Sequence, residues 1–404
     1  MRDVAARPIR VAHIITRLIL GGAQENTLYT AIGQHQNPAF DVTLVIGTDD
    51  GTEGSLRDEA RAAGLELVEI SSLVRPINPW NDMRALWDIY RLLRHRRYDV
   101  VHTHSSKAGI VGRAAARLAG VPVVVHTLHS LVFHEYQGPL QNAAYIALKR
   151  ACAPMADVLI SVNDKTTAGA LARRIGRPEQ YVTIYSGMKL DSFLDVRDSL
   201  STAEAKTRLG LSPDVPVVGK IARLFPLKGH EQFFAAAREI ARRRPETRFV
   251  LVGDGPLRGD LERRVRDLDL TDRVLFVGRV PPERVPDCIQ AMDVVVHTSL
   301  REGIARVLPQ AGAVGKPVVT FALDGAPEVI RDGVSGFLVP ALDTTLLAER
   351  VVELLDDPDR RKLFGEAGRS VAAEHFRIEH MVERINAVYF GRLPRQTAAV
   401  NVIS

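Results

Sequence analysis

With 404 residues, 46% of them hydrophobic and 25% charged, the chain is long enough for two or three domains with buried cores. A formal charge of +5 is mild for that length; it sets nucleic acid aside and leaves anionic small ligands or a membrane surface as partners. The two cysteines, Cys152 and Cys288, lie far apart in the chain, which argues against a disulfide framework and for a reducing compartment.

No run of residues approaches a membrane span. The first apolar segment, Ile9 to Ile15, is broken by Arg10 and runs on to Gly21-Gly22, so it reads as a strand and not as a signal peptide, and a cytoplasmic chain is expected. Strand-like runs then alternate with amphipathic segments: Val42–Ile46, Leu67–Ile70, Val100–His102, Val121–His126, Val158–Val162 and Val182–Tyr185. After a polar stretch the alternation restarts at Val217–Ala222, Phe249–Val252, Val274–Val277, Asp293–His297 and Val318–Phe321. Alternation of this kind means parallel sheets wrapped in helices, here two Rossmann-like halves. The expected division is 1–190, a linker over 191–213, a second domain over 214–377, and a C-terminal helix from about 378 with apolar Met381, Ile385 and Val388 at helical spacing.

Several strand ends carry polar groups, and strand ends are where open α/β sheets hold ligands. Gly21-Gly22 after the first strand suits either a backbone approach to an anion or a plain tight turn. Neither half shows Gly-x-Gly-x-x-Gly with a following acid, which weakens a dehydrogenase reading. The segment Trp80 to Tyr98 sets Leu86, Ile89, Tyr90 and Leu93 against Arg84, Arg91, Arg94, Arg96 and Arg97. Such a basic amphipathic helix either covers the sheet or lies on an anionic membrane. His102, His104 and Lys107 follow one strand, and His126 and His129 the next. Lacking a cysteine or a convincing Glu/His pair, these histidines point to hydrogen bonding and not to zinc. Lys107 suits an acceptor contact or a solvated loop. The Asp-x-Asp at Asp267-Leu268-Asp269 falls at the end of an amphipathic helix and not of a strand, so no metal-bridged diphosphate and no cofactor is expected.

The most specific stretch runs from Thr298 to Val319, between two β-branched runs. Glu302-Gly303 sits where a strand hands over to a helix, a position that offers unpaired N–H groups to a phosphate. Gln310 follows eight positions later, about two helical turns on, so that both side chains are expected to face one ligand. Together with Ala-x-x-x-Gly-Lys-Pro-Val-Val and the pair Arg223 and Lys228, this pattern resembles the nucleotide-sugar site of retaining family 4 glycosyltransferases of the GT-B fold.

The resemblance spans nearly the whole chain and implies two Rossmann-like domains facing a central cleft, with the C-terminal helix crossing back onto the first. It implies a catalytic environment of His129 and Glu302. The donor diphosphate would meet Gly22, Arg223, Lys228 and the backbone of Gly303, Ile304 and Ala305, and ribose and base would meet Gln310, Arg279 and Gly253. Lys107 and His104 would face the acceptor. Gln310 departs from the family's glutamate, keeping hydrogen-bonding capacity and losing charge. The implied reaction transfers a hexosyl or N-acetylhexosaminyl group from a nucleotide diphosphate sugar, UDP-linked by expectation, to a glycan or lipid-linked acceptor with retention, on the inner face of the membrane in polysaccharide or cell-envelope synthesis. A sugar-nucleotide epimerase of the same fold, and a donor-binding protein without turnover, are the alternatives.

Overall fold

The computed structural model describes residues 7–48, 54–131, 133 and 137–393, which form two compact units. The first comprises the chain up to Met188 together with the segment from Ile378; the second runs from Lys189 to Arg377. Cys152 and Cys288 are buried free thiols, one in each.

The first unit is built on seven parallel strands: β1 (Ile9–Ile15), β2 (Phe40–Ile46), β3 (Glu66–Glu69), β4 (Val100–His104), β5 (Val123–Leu128), β6 (Val158–Ser161) and β7 (Tyr181–Thr183), in the order β3-β2-β1-β4-β5-β6-β7. Every residue of β4 and β5 is buried, as expected of strands covered by helices on both faces. The helix Ile378–Phe390 closes this unit by packing on the helix Gly22–His35, with Met381, Ile385 and Tyr389 in the core. Gly33 permits the close approach, since a Cβ there would stand 2.8 Å from a methyl of Val382. The Met381 sulfur accepts from Asn26 Nδ2 and from the Gly187 amide, each at 3.1 Å.

The second unit holds β8 (Val217–Ile221), β9 (Arg248–Val252), β10 (Val274–Gly278), β11 (Val294–His297), β12 (Val318–Phe321) and β13 (Gly336–Val339), in the order β10-β9-β8-β11-β12-β13. The edge strand β13 was not legible: four residues opening on glycine carry too little pattern, and its pairing with β12 fixes it. The segment 191–213 carries two helices, Asp191–Ser199 and Thr202–Arg208, the latter opened by a reciprocal cap of Ser201 and Glu204. Both pack within the second unit; Arg197 ion-pairs with Glu366 at 2.7 Å.

In each sheet the order reverses beside the first strand, at β1/β4 and at β8/β11. The loops leaving those strands therefore diverge and open a crevice, the preferred ligand position of such sheets.

Candidate active site

At the reversal point of the second unit, the loop after β8 carries Arg223 and Lys228 and the loop after β11 carries Ser299, Glu302 and Gly303. Gly229 joins the two loops. It has φ 65°, and a Cβ there would lie 1.7 Å from the Thr298 carbonyl oxygen, so only glycine lets the Lys228 loop rest on the end of β11. Lys228 then donates to Glu302 Oε1, and the Ser299 hydroxyl donates to the same oxygen at 3.1 Å. The Glu302 amide donates to Asp324 Oδ2 at 2.6 Å, which fixes the backbone of the acidic residue. Leu227, before the lysine, and Asp324 are non-glycine residues at positive φ, 65° and 49°, strain of the kind found at binding loops.

Arg223 is exposed, with its guanidinium carbon 5.1 Å from the Phe225 ring centre, and no carboxylate engages it among the described residues. The backbone N–H groups of Gly303, Ile304 and Ala305 find no backbone carbonyl among the described residues. Two cations, a carboxylate and three amides on the two loops at this reversal point suit a ligand with a diphosphate at one end and hydroxyls at the other. Gly253 follows β9 at φ 136°, its Cα packed so closely on Ala222 that a Cβ would meet that carbonyl oxygen at 2.0 Å. Arg279 is exposed just beyond β10.

One expectation changes. Glu302 is not on a helix: residues 301–306 are irregular, and the helix begins at Val307, so Gln310 lies in its first turn and the pair do not share a helical face two turns long. The Glu302 loop, held by hydrogen bonds from Lys228 and Ser299 and to Asp324, replaces those turns. Gln310 is half-buried.

Lys220, Ser299 and Asp324 escaped the sequence reading. Lys220 is wholly buried in β8 and donates to Thr298 Oγ1 at 2.9 Å, while Thr298 donates to the Gly229 carbonyl at 2.6 Å. Burial, reinforced by the charge of Lys228, pushes the Lys220 amine down to about 7. Asp324 follows β12 on the same edge, and its strand-end position was the available signal.

At the reversal point of the first unit the histidines form one network. His13 of β1 reaches Gln34 Oε1 with Nε2 at 2.7 Å and His104 Nε2 with Nδ1 at 3.1 Å. His104 Nδ1 lies 3.4 Å from His129 Nε2. His102 lies between the Tyr389 hydroxyl at 2.6 Å and Thr127 Oγ1 at 2.7 Å. His13, His102 and His104 bring ring nitrogens within 4.8 Å of one another, a spacing open to a metal, yet those nitrogens already serve each other and neutral partners, and among the described residues no carboxylate joins them. Burial pushes His13 and His129 down to about 4, and His102 and His104 well below the usual histidine range.

Gly22 opens the helix Gly22–His35. Lys107, in the first turn of the helix Ser106–Ala119, donates to Asp82 Oδ1 at 2.6 Å and to the Pro76 carbonyl. It therefore ties that helix to the first turn of the basic helix Pro79–Arg96 and to the segment before it, and is not a solvated loop cation.

A family model described as "Glycosyl transferase 4-like domain" matches residues 21–187, and one described as "Glycosyl transferases group 1" matches 201–371. An Escherichia coli UDP-Gal:alpha-D-GlcNAc-diphosphoundecaprenol alpha-1,3-galactosyltransferase is 30% identical over 94% of this chain and 96% of its own. A GDP-mannose-dependent alpha-(1-6)-phosphatidylinositol monomannoside mannosyltransferase of Mycolicibacterium smegmatis is 29% identical over 84% of this chain and 95% of its own. The Anabaena protein Alr3699/HepE, solved in complex with UDP, shares the fold with TM-score 0.78 at 21% identity, covering 94% of this chain and 99% of its own.

Proposed function

The chain belongs to the family 4-type glycosyltransferases of the GT-B fold, hexosyltransferases that use nucleotide sugars, and we propose that it transfers a hexosyl or N-acetylhexosaminyl group from a UDP-sugar to a lipid-linked glycan acceptor, with retention. The observation that carries this reading is that Arg223, Lys228, Glu302 and the amides of Gly303 to Ala305 lie on the two loops that leave β8 and β11 at the reversal of the sheet, with Lys228 paired to Glu302. UDP is favoured by the donor in the Escherichia coli relative's name and by the nucleotide in the Anabaena structure.

In this mechanism the acceptor hydroxyl attacks the anomeric carbon on the face from which the diphosphate departs. The bond from that carbon to the phosphate oxygen breaks, and the hydroxyl proton passes to the leaving oxygen. Arg223, Lys228 and the loop amides stabilise the charge that develops there. Glu302 receives sugar hydroxyls, and its ion pair with Lys228 keeps the carboxylate beside a cation that meets the diphosphate. Since the protein supplies two cations and a set of amides, the diphosphate needs no divalent ion. His129, held neutral by burial, serves the reacting sugar as a hydrogen-bonding group and not as a charge.

Attachment to an anionic membrane forms part of the proposal, on the cytoplasmic face where the lipid-linked acceptor would be met. On the helix Pro79–Arg96, Trp80, Met83 and Trp87 are 85%, 64% and 55% exposed. At helical spacing they share a face with Arg84, Arg91 and Arg94, the arrangement of an interfacial helix. Arg96 is instead paired with Glu66, and Arg97 follows the helix end. Among the described residues no helix is long and apolar enough to cross a membrane.

Incubation with radiolabelled UDP-sugar, alone and with a short-chain polyprenyl diphosphate glycan, tests the reading. Label moving to lipid is the expected result. Conversion of the sugar without acceptor would mean an epimerase, and binding without either product would mean a protein without turnover.

A further inference from the structure

A central strand of the second unit carries a cation on a face that is otherwise apolar. Lys220 shares that face of β8 with Val218, which belongs to the hydrophobic core with Phe233 and Val296. Its side chain is wholly buried, and among the described residues its amine makes one hydrogen bond, to Thr298 Oγ1 at 2.9 Å. Glu302 is the one carboxylate among them whose charge reaches it, and that carboxylate is already paired with Lys228. An ammonium has three N–H groups to place, so an aliphatic side chain would fold here at lower cost.

What the lysine does with that cost follows from its partner. The Thr298 hydroxyl donates to the Gly229 carbonyl at 2.6 Å, so its oxygen accepts from β8, and only a donor suits position 220. The path Lys220, Thr298, Gly229 thus runs from the strand to the residue after Lys228. Gly229 in turn rests on the Thr298 backbone at φ 65°. A shift of Thr298 therefore moves Lys228 on one side and Ser299 on the other, and both of these donate to Glu302 Oε1.

The charged and titratable groups that face Lys220 are Lys228 and Glu302 on the two loops, His230 at the start of the helix His230–Arg243, and His297 at the end of β11. Burial pushes His230 down to about 4 and His297 well below the usual histidine range, so both are neutral at physiological pH. Burial, with the charge of Lys228, pushes the Lys220 amine down to about 7. A diphosphate held by Arg223 and Lys228 brings negative charge to the same loops, and nearby negative charge favours ammonium over amine.

We propose that Lys220 is a positioning residue of the donor site, which holds the Lys228 loop on the end of β11 through Thr298 and takes up a proton when a nucleoside diphosphate binds. The proton comes from solvent and settles on Nζ; no bond to the nucleotide forms or breaks. The identity of the ligand rests on the transferase reading above.

Calorimetric titration of the full chain with UDP at pH 8, in buffers of different ionisation enthalpy, counts the protons exchanged on binding. The terminal phosphate of UDP, with a pKa of about 6, is already ionised there. Net uptake is expected in the wild type, with UDP affinity falling from pH 7 to 9 by up to about tenfold for each unit by which the diphosphate raises Lys220. Lys220→Met should take up no proton, lose that pH dependence and bind UDP more weakly than the wild type at pH 7. Thr298→Val should weaken UDP binding several-fold and still take up the proton, while Thr298→Ser, which keeps both hydrogen bonds, should stay within threefold. UDP bound by the wild type without proton uptake, uptake unchanged in Lys220→Met, or full affinity in Thr298→Val would overturn the proposal. The wild-type measurement needs no variant, so it decides even where a substitution prevents folding. If UDP does not bind at all, the transferase reading falls as well, an outcome distinct from binding without proton uptake.

Discussion

The carboxamide oxygen of Gln34 lies 2.7 Å from Nε2 of His13, and this contact sets the proton positions of a chain of histidines. Gln34 Nε2 donates to Asn386 Oδ1 at 2.8 Å, so its oxygen faces His13 and accepts. His13 is therefore protonated on Nε2, and its Nδ1 accepts from His104 Nε2. His104 Nδ1 in turn faces Nε2–H of His129, leaving the latter's Nδ1 as the lone-pair nitrogen. Gln34→Leu should cost about 1–3 kcal/mol by orphaning a buried N–H. It should also shift the ¹⁵N resonances of His13, His104 and His129 together. A change confined to His13 would break the chain as described.

The same histidines set the acid limit of the first unit. His13 and His129 titrate near 4 in the folded chain because they are buried, against about 6.5 when unfolded. Between those values the unfolded chain holds protons that the folded chain does not, so stability is full above pH 6.5 and falls as pH drops toward 4, by at most about 1.4 kcal/mol per pH unit for each histidine. Lys220, pushed down to about 7, acts in the alkaline window: stability rises from pH 7 toward 10.5. Melting curves from pH 4 to 10 check both limbs. Lys149 and Lys316, pushed down to about 8 by burial, add to the alkaline limb, so Lys220→Met should make it shallower, most of all between pH 7 and 8; a slope unchanged in that variant would show that the ammonium titrates normally.

Arg223→Ala and Lys228→Ala should each weaken UDP binding by about 1.5–3 kcal/mol, roughly tenfold to a hundredfold, as a lost charge-assisted contact requires. Isothermal titration measures it, with circular dichroism confirming the fold. Lys228→Ala also leaves Glu302 without its cation, so its loss of turnover should exceed that of Arg223→Ala. Turnover should survive exhaustive chelation. Activity that vanishes with chelator and returns with magnesium or manganese would show that the two cations are not sufficient.

Strand positions and the two halves were legible because the strands are β-branched runs; strand-end placement together with the family resemblance picked out Glu302, Arg223 and Lys228, whereas the strand order came only with the fold. The histidine network was only half legible. His102 and His104 close β4 and His129 follows β5, whereas His13 sits inside an apolar strand and Gln34 inside a helix, and only folding brings them together. Lys220 lies inside an otherwise apolar strand, and nothing local says that its amine meets Thr298. The pairing of Lys107 with Asp82 joins residues 25 apart and was likewise invisible.

Membrane attachment depends on one face of the helix Pro79–Arg96. Trp80→Ala with Trp87→Ala should abolish co-sedimentation with phosphatidylglycerol vesicles at low salt, while Arg84→Gln with Arg91→Gln should weaken it by about 1 kcal/mol per charge and reduce its salt dependence. Wild-type protein that remains in the supernatant at low ionic strength would assign that face another role.

Gln310 and Glu302 separate nucleotide affinity from turnover. Gln310 stands half-buried in the first turn of the helix Val307–Val314, where an amide can accept from one ribose hydroxyl and donate to the other. A carboxylate there would accept from both, with charge assistance, and would lie at a helix N-terminus that favours negative charge. Gln310→Glu should therefore be tolerated and should tighten UDP binding by about 1 kcal/mol, a few-fold to tenfold. Glu302→Gln removes charge beside the reacting sugar while keeping the shape that Ser299 and the Asp324 contact hold in place. Its contact strengthens as the diphosphate departs, so kcat should fall far more than UDP affinity. With Lys228 released from its carboxylate, UDP affinity in this variant should hold or rise slightly. Both variants belong in one assay, with UDP affinity by calorimetry and turnover by product release. Full turnover in Glu302→Gln, or loss of UDP binding in Gln310→Glu, would reverse the roles assigned to the two positions.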